Sequence, residues 1–385
     1  MRIAMFAHTL DHGGIARVAF AVGEQLAAMG IETAIVGATR EKTAPDVATG
    51  VSIDVVELGV TGGHLAAVLP LARWLRSWRP DVVFSNATPA NISTILARLA
   101  SRAPAAIVAV EHNHYSSYIP PAGDGRRMRC LRRLRDVEMQ VLYPLADAVA
   151  GVSRGVVADL EYRLPRVKSK LVVLPSPGRS ASDVQRLAAV RPEHPWFDAQ
   201  PRPRIVTCVA NIVPRKSQET LIAALPAIRA RVGDVRLLLV GRVDNHRYAR
   251  QLERDALRLG VAEYVSFAGY QRNPLAFMAP SDVVALSSRN EGYGLVLVEA
   301  MACGVPVVVA PVGALPEVVG DAGLYAAPDA PAAWADALEA CLDDTCTANL
   351  TARGLTRAAA FSWAATAAAT WRAYDAAVGA RRERP

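Results

Sequence analysis

Short apolar runs alternate with longer amphipathic stretches along almost the whole chain. The runs are rich in Val, Ile, Leu and Ala, and the stretches between them repeat apolar residues every three or four positions. Unbroken apolar runs are typical of parallel strands covered on both faces, and their alternation with helices predicts βαβ crossovers. In the first half the pattern predicts strands near residues 2–7, 32–37, 82–85, 106–111, 148–153 and 171–174. It predicts helices near residues 14–29, 64–77, 89–101, 126–146 and 154–163.

The pattern restarts after a proline-rich stretch. Residues 190–204 hold four prolines and no periodicity, which is typical of a linker. Beyond it we expect strands near residues 205–210, 235–240, 264–268, 282–286 and 305–309. We expect helices near residues 217–231, 247–259, 296–303 and 332–342. A last amphipathic helix is expected over residues 362–379.

The predicted fold class is α/β, with two Rossmann-like, doubly wound parallel-sheet domains. Such sheets bind ligands outside the carboxyl ends of their strands, so two of them facing each other form a central cleft. The predicted boundaries are 1–189 for the first domain, 190–204 for the linker, 205–360 for the second domain and 361–385 for a C-terminal helix.

Composition narrows the class of protein. The 385 residues suit two domains, and 52% hydrophobic against 21% charged residues excludes a disordered chain. The five cysteines are odd in number and form no C-x-x-C pair, which indicates reduced thiols in a cytoplasmic protein. No apolar run is long enough to cross a membrane, and the N-terminus is expected to be a strand rather than a signal peptide. A net charge of +7 fits an anionic partner, or simply an Arg-rich composition.

Three segments carry candidate chemistry. In HTLDHGGIARVA, Gly13 and Gly14 lie between a predicted strand and a helix, where backbone N–H groups can approach a phosphate. In ANIVPRKSQETLIAA, Arg215 and Lys216 precede a helix, a position that suits a diphosphate. The first segment also fits an ordinary strand-to-helix turn, and the second also fits a pair of solvated charges.

The third segment, SSRNEGYGLVLVEAMACGVPVVV, places two glutamates eight positions apart. Glu291 lies in a Gly-rich loop, and Glu299 lies on the next helix between Val298 and Ala300. A carboxylate on the apolar side of a helix needs partners, and ribose hydroxyls would suit it. The loop N–H groups from Gly292 to Val296 would then serve sugar hydroxyls and phosphate oxygens.

These segments, in this order and spacing, resemble the retaining GT-B glycosyltransferases of family four. The segment EGYGLVLVEAMACGVPVV is the most specific element of the resemblance. The phrases GVSRGVVADL, VVLPSPG, FAGYQRNPLAFMAPSDVVALSS and APVGALPEVVG extend it over the chain. The resemblance implies an acceptor-binding first domain, a second domain that binds the nucleotide sugar, and a closing helix that packs back on the first domain.

The resemblance also implies site residues. Arg215 and Lys216 would hold the donor diphosphate, Glu299 the ribose, and Glu291 with His112 would lie near the donor sugar, with His114 as a rival to His112. The remaining donor-binding positions are Gly13, Gly14, Asn211, Tyr270, Gly292, Tyr293, Gly294, Leu295 and Val296. Ala210-Asn211 replaces the usual Gly-Arg, Ser176 replaces the common Asn, and Tyr293 replaces the usual Phe.

No Asp-x-Asp motif is present, so we expect no metal and no cofactor, with the nucleotide sugar as a substrate. The expected donor is a UDP- or GDP-linked hexose, and the expected acceptor is a small molecule or a glycan. Two other functions remain open: a non-catalytic nucleotide-sugar-binding protein and, with less support, a nucleotide-sugar epimerase. No nucleic acid partner is expected.

Six arginines lie within one predicted helix. They are Arg126, Arg127, Arg129, Arg132, Arg133 and Arg135. Such a helix fits weak contact with an anionic membrane surface, or an anionic acceptor, but a solvated helix face is the favoured interpretation.

Overall fold

The chain folds as two compact units. The computed structural model describes residues 1–10, 13–40, 52–114 and 126–382. The first unit comprises Met1–Pro177 and Trp363–Pro385, and the second comprises Gly178–Ser362. Each unit has its own parallel sheet, so the prediction of two doubly wound α/β domains is confirmed.

Seven parallel strands form the sheet of the first unit. They are β1 (Arg2–Leu10), β2 (Glu32–Arg40), β3 (Asp54–Glu57), β4 (Val82–Asn86), β5 (Ala106–Glu111), β6 (Ala148–Gly151) and β7 (Leu171–Val173). Their order is β3-β2-β1-β4-β5-β6-β7. The strand order reverses between β1 and β4, and this switch point is where open α/β sheets bind ligands.

Helices cover the first sheet because its strands are apolar on both faces. They are α1 (Gly14–Ala28), α2 (Val68–Trp78), α3 (Thr88–Ser101), α4 (Arg126–Leu142), α5 (Arg154–Arg163) and the C-terminal α14 (Trp363–Arg382). The side chains of β5 are buried along its whole length. Helix α14 contacts β4, β5, β6 and β7 within this unit.

Six parallel strands form the sheet of the second unit. They are β8 (Arg204–Val209), β9 (Val235–Val240), β10 (Val265–Gly269), β11 (Val283–Leu286), β12 (Val307–Val309) and β13 (Gly323–Tyr325). Their order is β10-β9-β8-β11-β12-β13, with the switch point between β8 and β11.

The helices of the second unit follow the same design. They are α6 (Ala181–Ala188), α7 (Gln218–Val232), α8 (His246–Arg258), α9 (Leu275–Met278), α10 (Leu295–Ala302), α11 (Leu315–Val319), α12 (Pro331–Cys341) and α13 (Asp344–Ala359). Trp334 on α12 is fully buried and anchors that helix to the core.

Several elements differ from the sequence expectations. Strands β3 and β13 and helices α6, α9, α11 and α13 were not predicted, because most are too short to show a period and α13 has a broken one. The boundary between the two units lies between Pro177 and Gly178 rather than within residues 190–204. That stretch belongs to the second unit, where Trp196 and Phe197 pack against a cluster that includes Leu238. Proline there removes periodicity without making a linker.

Candidate active site

The glycine pair of the first unit lies beside the switch point, between β1 and α1. Gly13 has an extended backbone (φ −64°), so its conformation does not require glycine. Gly14 is exposed, and a Cβ added to it would meet no atom within 4 Å. Asp11 and His12 lie outside the described residues. Gly13, the N-cap residue of α1, has no side chain to cap the helix, and a helix N-terminus is a position that favours an anion.

His112 follows β5 at the same edge of the sheet. Its Nε2 lies 3.0 Å from Oδ1 of Asn86, the last residue of β4. Burial lowers the pKa of His112 to about 4, which keeps the ring neutral at neutral pH. Its sequence rival His114 is also partly buried, but residues 115–125 beyond it are outside the described part of the chain.

A buried carboxylate lies directly before His112 and was missed by sequence reasoning. Glu111 accepts hydrogen bonds from Thr88 Oγ1 (3.1 Å), Asn91 Nδ2 (2.9 Å) and the Tyr143 hydroxyl. Burial raises the pKa of Glu111 to about 6 and outweighs the three donors, which act in the opposite direction. The network joins α3 to the end of β5, and so it fixes the backbone from which His112 projects.

Two further histidines lie near the carboxyl edge of the first sheet. Burial lowers the pKa of His8, on β1, and of His64, and each also carries a charge effect from its neighbours. His64 Nε2 lies 3.7 Å from Glu138 Oε1 on α4, which raises the His64 pKa, while Arg135 of the same helix lowers it; burial outweighs both. Nothing in the sequence pattern joined these positions, because they come from three separate elements.

The second unit brings Lys216 and Glu291 together at its switch point. Lys216 follows β8 and Glu291 follows β11, and Lys216 Nζ donates to Glu291 Oε2. Lys216 is only 8% exposed. Burial would raise the pKa of the Glu291 carboxyl, but the charges of Lys216 and Arg215 outweigh it and leave that pKa below its usual range. Burial lowers the pKa of Lys216, and Glu291 opposes that shift.

Arg215 differs from its neighbour because its side chain is exposed. Its carbonyl accepts a hydrogen bond from the Arg289 N–H (2.8 Å), and Ser287 Oγ donates to the carbonyls of Lys216 (3.0 Å) and Ser217 (2.8 Å). The basic loop is therefore tied to the loop of Glu291. The Lys216 side chain is buried and paired, and the Arg215 side chain is exposed.

The Gly-rich loop from Glu291 to Gly294 is held by the segment that follows β12. A Cβ on Gly313, where φ is +56°, would lie 2.0 Å from the Glu291 carbonyl, so only glycine fits there. Ala314 N donates to that same carbonyl at 3.1 Å. Gly294 caps α10, and Leu295 and Val296 are the first residues of that helix. The cap residue Gly294 provides no side-chain hydrogen bond to the N–H groups of this first turn.

The remaining residues of the loop are Gly292 and Tyr293. Gly292 and Tyr293 are buried, and the Tyr293 ring meets Phe361 edge-on at 6.1 Å. Among the described residues the Tyr293 hydroxyl has no hydrogen-bond partner, and burial raises the pKa of that group.

Glu299 lies on α10 and is 5% exposed. Arg179 Nε donates to its Oε1 at 2.6 Å. Arg179 was missed by the sequence analysis, since it is 120 residues away in the chain and belongs to no motif. Arg179 therefore holds the Glu299 carboxylate within the second unit.

Asn211 follows β8, and Tyr270 follows β10. Asn211 Nδ2 donates to Asp244 Oδ2 at 2.7 Å, and its carbonyl accepts from Gln218 Nε2 at 3.0 Å. The Asn211 side chain is thus held by the protein. Tyr270 is 43% exposed.

The described residues hold neither a membrane-spanning helix nor a cluster of metal-ligating side chains. No helix in that part of the chain is long and apolar enough to cross a membrane. The same residues contain no group of three metal-ligating side chains. On α4 the side chains of Arg126–Arg129 and Arg132 lie outside the described set, but four apolar side chains farther along the helix are 48–60% exposed. They are Leu131, Leu134, Val137 and Val141.

Two doubly wound sheets with ligand-binding groups at their carboxyl edges define the class of GT-B proteins. The solved structure of HepE from Anabaena, in complex with UDP and glucose, is similar over 97% of this chain and 98% of that one, with a TM-score of 0.73 and 20% identity. That similarity concerns the fold.

Two family models match the sequence. The model described as Glycosyltransferase Family 4 matches residues 12–177, and the model described as Glycosyl transferases group 1 matches residues 203–344. The chain therefore belongs to the family-four glycosyltransferases.

Curated relatives match over a shorter span. A GDP-mannose-dependent alpha-(1-6)-phosphatidylinositol monomannoside mannosyltransferase of Mycolicibacterium smegmatis is 39% identical over 195 residues, which is 46% of this chain and 47% of the relative. A D-inositol 3-phosphate glycosyltransferase of Segniliparus rotundus is 35% identical over 199 residues, or 50% and 43%. The chain spans about half the length of the curated relatives it matches.

Proposed function

We propose that this protein is a retaining glycosyltransferase that moves a hexose from a UDP- or GDP-linked donor to a small-molecule or glycan acceptor without a metal ion. The observation that carries the proposal is the arrangement at the switch point of the second sheet. There the buried Lys216–Glu291 pair and the exposed Arg215 lie at the ends of neighbouring strands. Glu299 lies on α10, about one helical turn from the start of that helix.

In this proposal Arg215 and Lys216 stabilise the negative charge that develops on the leaving diphosphate. The Arg215 side chain is free to approach phosphate oxygens, and Lys216 adds a fixed charge held in place by Glu291. Fixed charges of this kind need no reorganisation during the reaction. The N–H groups at the start of α10 add to them.

The chemical step breaks the bond between the anomeric carbon and the diphosphate oxygen and forms a bond from that carbon to the acceptor. The acceptor attacks from the face that the diphosphate leaves, and a phosphate oxygen takes the acceptor's proton. Glu291 stabilises positive charge on the sugar rather than acting as a nucleophile. The donor's anomeric configuration is therefore retained.

The names of the relatives and of the solved structure suggest two donors for the first experiment. One is named for GDP-mannose, and the HepE structure contains UDP and glucose. We would incubate the protein with GDP-mannose or UDP-glucose and a panel of sugar and polyol phosphate acceptors, with EDTA present. We expect release of the nucleotide with formation of a product of the donor's own anomeric configuration, read by NMR.

The same assay distinguishes the alternatives. Nucleotide binding without transfer or donor hydrolysis would identify a non-catalytic binding protein. Conversion of the donor into its epimer would identify an epimerase. Activity that returns only when manganese or magnesium is added after EDTA would contradict the metal-independent mechanism.

A cytoplasmic location, with weak contact to a membrane surface, is part of the proposal. It is supported by the exposed apolar row on α4 beside the arginine-rich start of that helix. Sedimentation with vesicles containing anionic or only zwitterionic lipid tests it, and Leu134→Glu should weaken binding to the anionic vesicles.

A further inference from the structure

We propose that Asn86 is a positioning residue, which fixes His112 as the tautomer with its proton on Nε2, so that Nδ1 accepts a hydrogen bond from a hydroxyl of the donor. The inference rests on the proposed function for its last step only. No motif of the sequence pointed to Asn86, and it contacts His112 rather than the reacting atoms.

The orientation of the Asn86 amide follows from its neighbours. Its Nδ2 donates to the backbone carbonyls of Phe6 and Phe84, both at 3.2 Å. A carbonyl oxygen only accepts, so the nitrogen of the amide must point toward these two oxygens. Asn86 Oδ1 therefore faces His112, and it too can only accept.

The tautomer of His112 follows directly. Asn86 Oδ1 lies 3.0 Å from His112 Nε2, so this nitrogen must carry the proton that is shared. In a neutral imidazole one ring nitrogen donates and the other accepts. Nδ1 is then the acceptor. A hydroxyl group fits such an acceptor, whereas a second acceptor such as a phosphate oxygen does not.

The surroundings keep His112 neutral. The small cavity next to it is lined by uncharged side chains, among them Val18, Leu174 and Thr370. The titratable groups on neighbouring elements are His8 on β1, Glu111 on β5 and Tyr143 after α4, but burial alone accounts for the lowered pKa of His112. The ring therefore accepts at Nδ1 throughout the neutral range.

The backbone around Asn86 is held unusually firmly. Ala87, the next residue, has φ +76°, a conformation that non-glycine residues rarely adopt and that clusters at functional sites. Its N–H donates to the Val110 carbonyl at 2.9 Å, and Asn91 on α3 reaches the same carbonyl. The turn that presents Asn86 is thus tied to β5, the strand that presents His112.

Nitrogen-15 NMR of the wild-type protein tests the tautomer without any substrate. We expect a protonated Nε2, an unprotonated Nδ1, and no titration of His112 between about pH 5.5 and 8, given its pKa of about 4. A protonated Nδ1 in the neutral ring would overturn the inference, whether or not the protein transfers sugar.

Asn86→Asp tests the link to catalysis. A carboxylate within hydrogen-bond distance stabilises the imidazolium and raises its pKa by about 1–3 units. The charged ring cannot accept at Nδ1, so kcat/KM for GDP-mannose or UDP-glucose should fall below about pH 6 and recover toward pH 8. Asn113→Asp is the matched control, because it places the same charge on an exposed neighbour.

The outcomes separate the two proposals. Transfer by the wild type with an unshifted His112 pKa in Asn86→Asp contradicts the positioning role. A shifted pKa with an unchanged pH profile contradicts the role of Nδ1. Absence of transfer with every donor contradicts the proposed function, while the tautomer remains measurable. If Asn86→Asp does not fold, Asn86→Leu replaces it. We expect that variant to lose the preference for a proton on His112 Nε2, which the same nitrogen-15 NMR measurement would detect.

Discussion

At the scale of single residues, Lys216 has two separable roles. It neutralises the buried carboxylate of Glu291, and in the proposed function it also meets the donor diphosphate. Removing one partner of a buried pair leaves an uncompensated charge, whereas removing both can be nearly neutral. A double substitution can therefore separate stability from chemistry.

Lys216→Met and Glu291→Gln should each lower the free energy of unfolding, the former by about 3–5 kcal/mol because it leaves a lone buried carboxylate. The double variant should recover most of that loss. Its transfer rate should remain roughly 10²–10³-fold below wild type, because the preorganised charge is still missing. Urea unfolding and initial rates measure the two effects, and wild-type transfer by the double variant would make the pair purely structural.

Glu299 and Glu291 are expected to affect different kinetic constants. Glu299→Gln should raise the donor KM with little change in kcat, because ribose contacts are equal in ground and transition states. Losing a hydrogen bond to a charged group costs about 1.5–3 kcal/mol, or about 10- to 100-fold in KM. Glu291→Gln should lower kcat, because its contact strengthens as positive charge develops on the sugar.

Initial rates over a range of donor concentration measure the split between the glutamates. Glu253→Gln, on the exposed face of α8, is the matched control. An unchanged donor KM in Glu299→Gln would remove the ribose role and leave Glu299 as the partner of Arg179. An unchanged kcat in Glu291→Gln would leave the donor sugar to the loop N–H groups.

At the scale of elements, the start of α1 shows a glycine that the fold itself does not need. Gly14→Ala should change the free energy of unfolding by less than about 0.5 kcal/mol, since its Cβ meets open space. The added methyl group should nevertheless raise the donor KM about 10-fold or more if a phosphate approaches this N–H.

Gly63→Ala is the control for the glycine test. Gly63 lies directly before a helical turn and has an extended backbone (φ −71°). As at Gly14, a Cβ added to it would meet no atom within 4 Å. Circular dichroism and donor kinetics for both variants measure fold and binding separately. Equal kinetics for the two variants would mean that the α1 start does not meet the donor.

Helix α10 shows how far a motif predicts an element. The sequence placed this helix within a residue of its observed bounds, and it placed Glu299 on it, because the apolar pattern there is unbroken. The motif did not predict Arg179, because nothing local connects it to α10. The same limit applies to Glu111, whose three donors come from α3 and from beyond α4.

At the scale of the whole molecule, each unit has its own sheet and core, and the proposed donor groups Lys216, Glu291 and Glu299 all belong to the second. A ligand that binds only the folded state raises its stability by about 2.7 kcal/mol at 100 times its Kd. We expect GDP or UDP to raise the melting temperature more than ADP does. Calorimetry measures the shift, and Glu299→Gln should reduce it; an equal shift in that variant would place the nucleotide elsewhere.

The sequence by itself determined the alternation of strands and helices, the two-domain class and the motif positions, because each depends on residues close together in the chain. Hydrophobic periodicity and turn-forming residues are local signals. They were enough to predict the Gly-rich loop and the buried side of α10. Only the tertiary structure decided which of these residues meet. Lys216 with Glu291, Arg179 with Glu299, and Asn86 with His112 are 75, 120 and 26 residues apart. Neighbouring strands bring the first and third pairs within hydrogen-bond distance, and the second pair joins the segment before α6 to α10. Sequence spacing carries no record of that proximity.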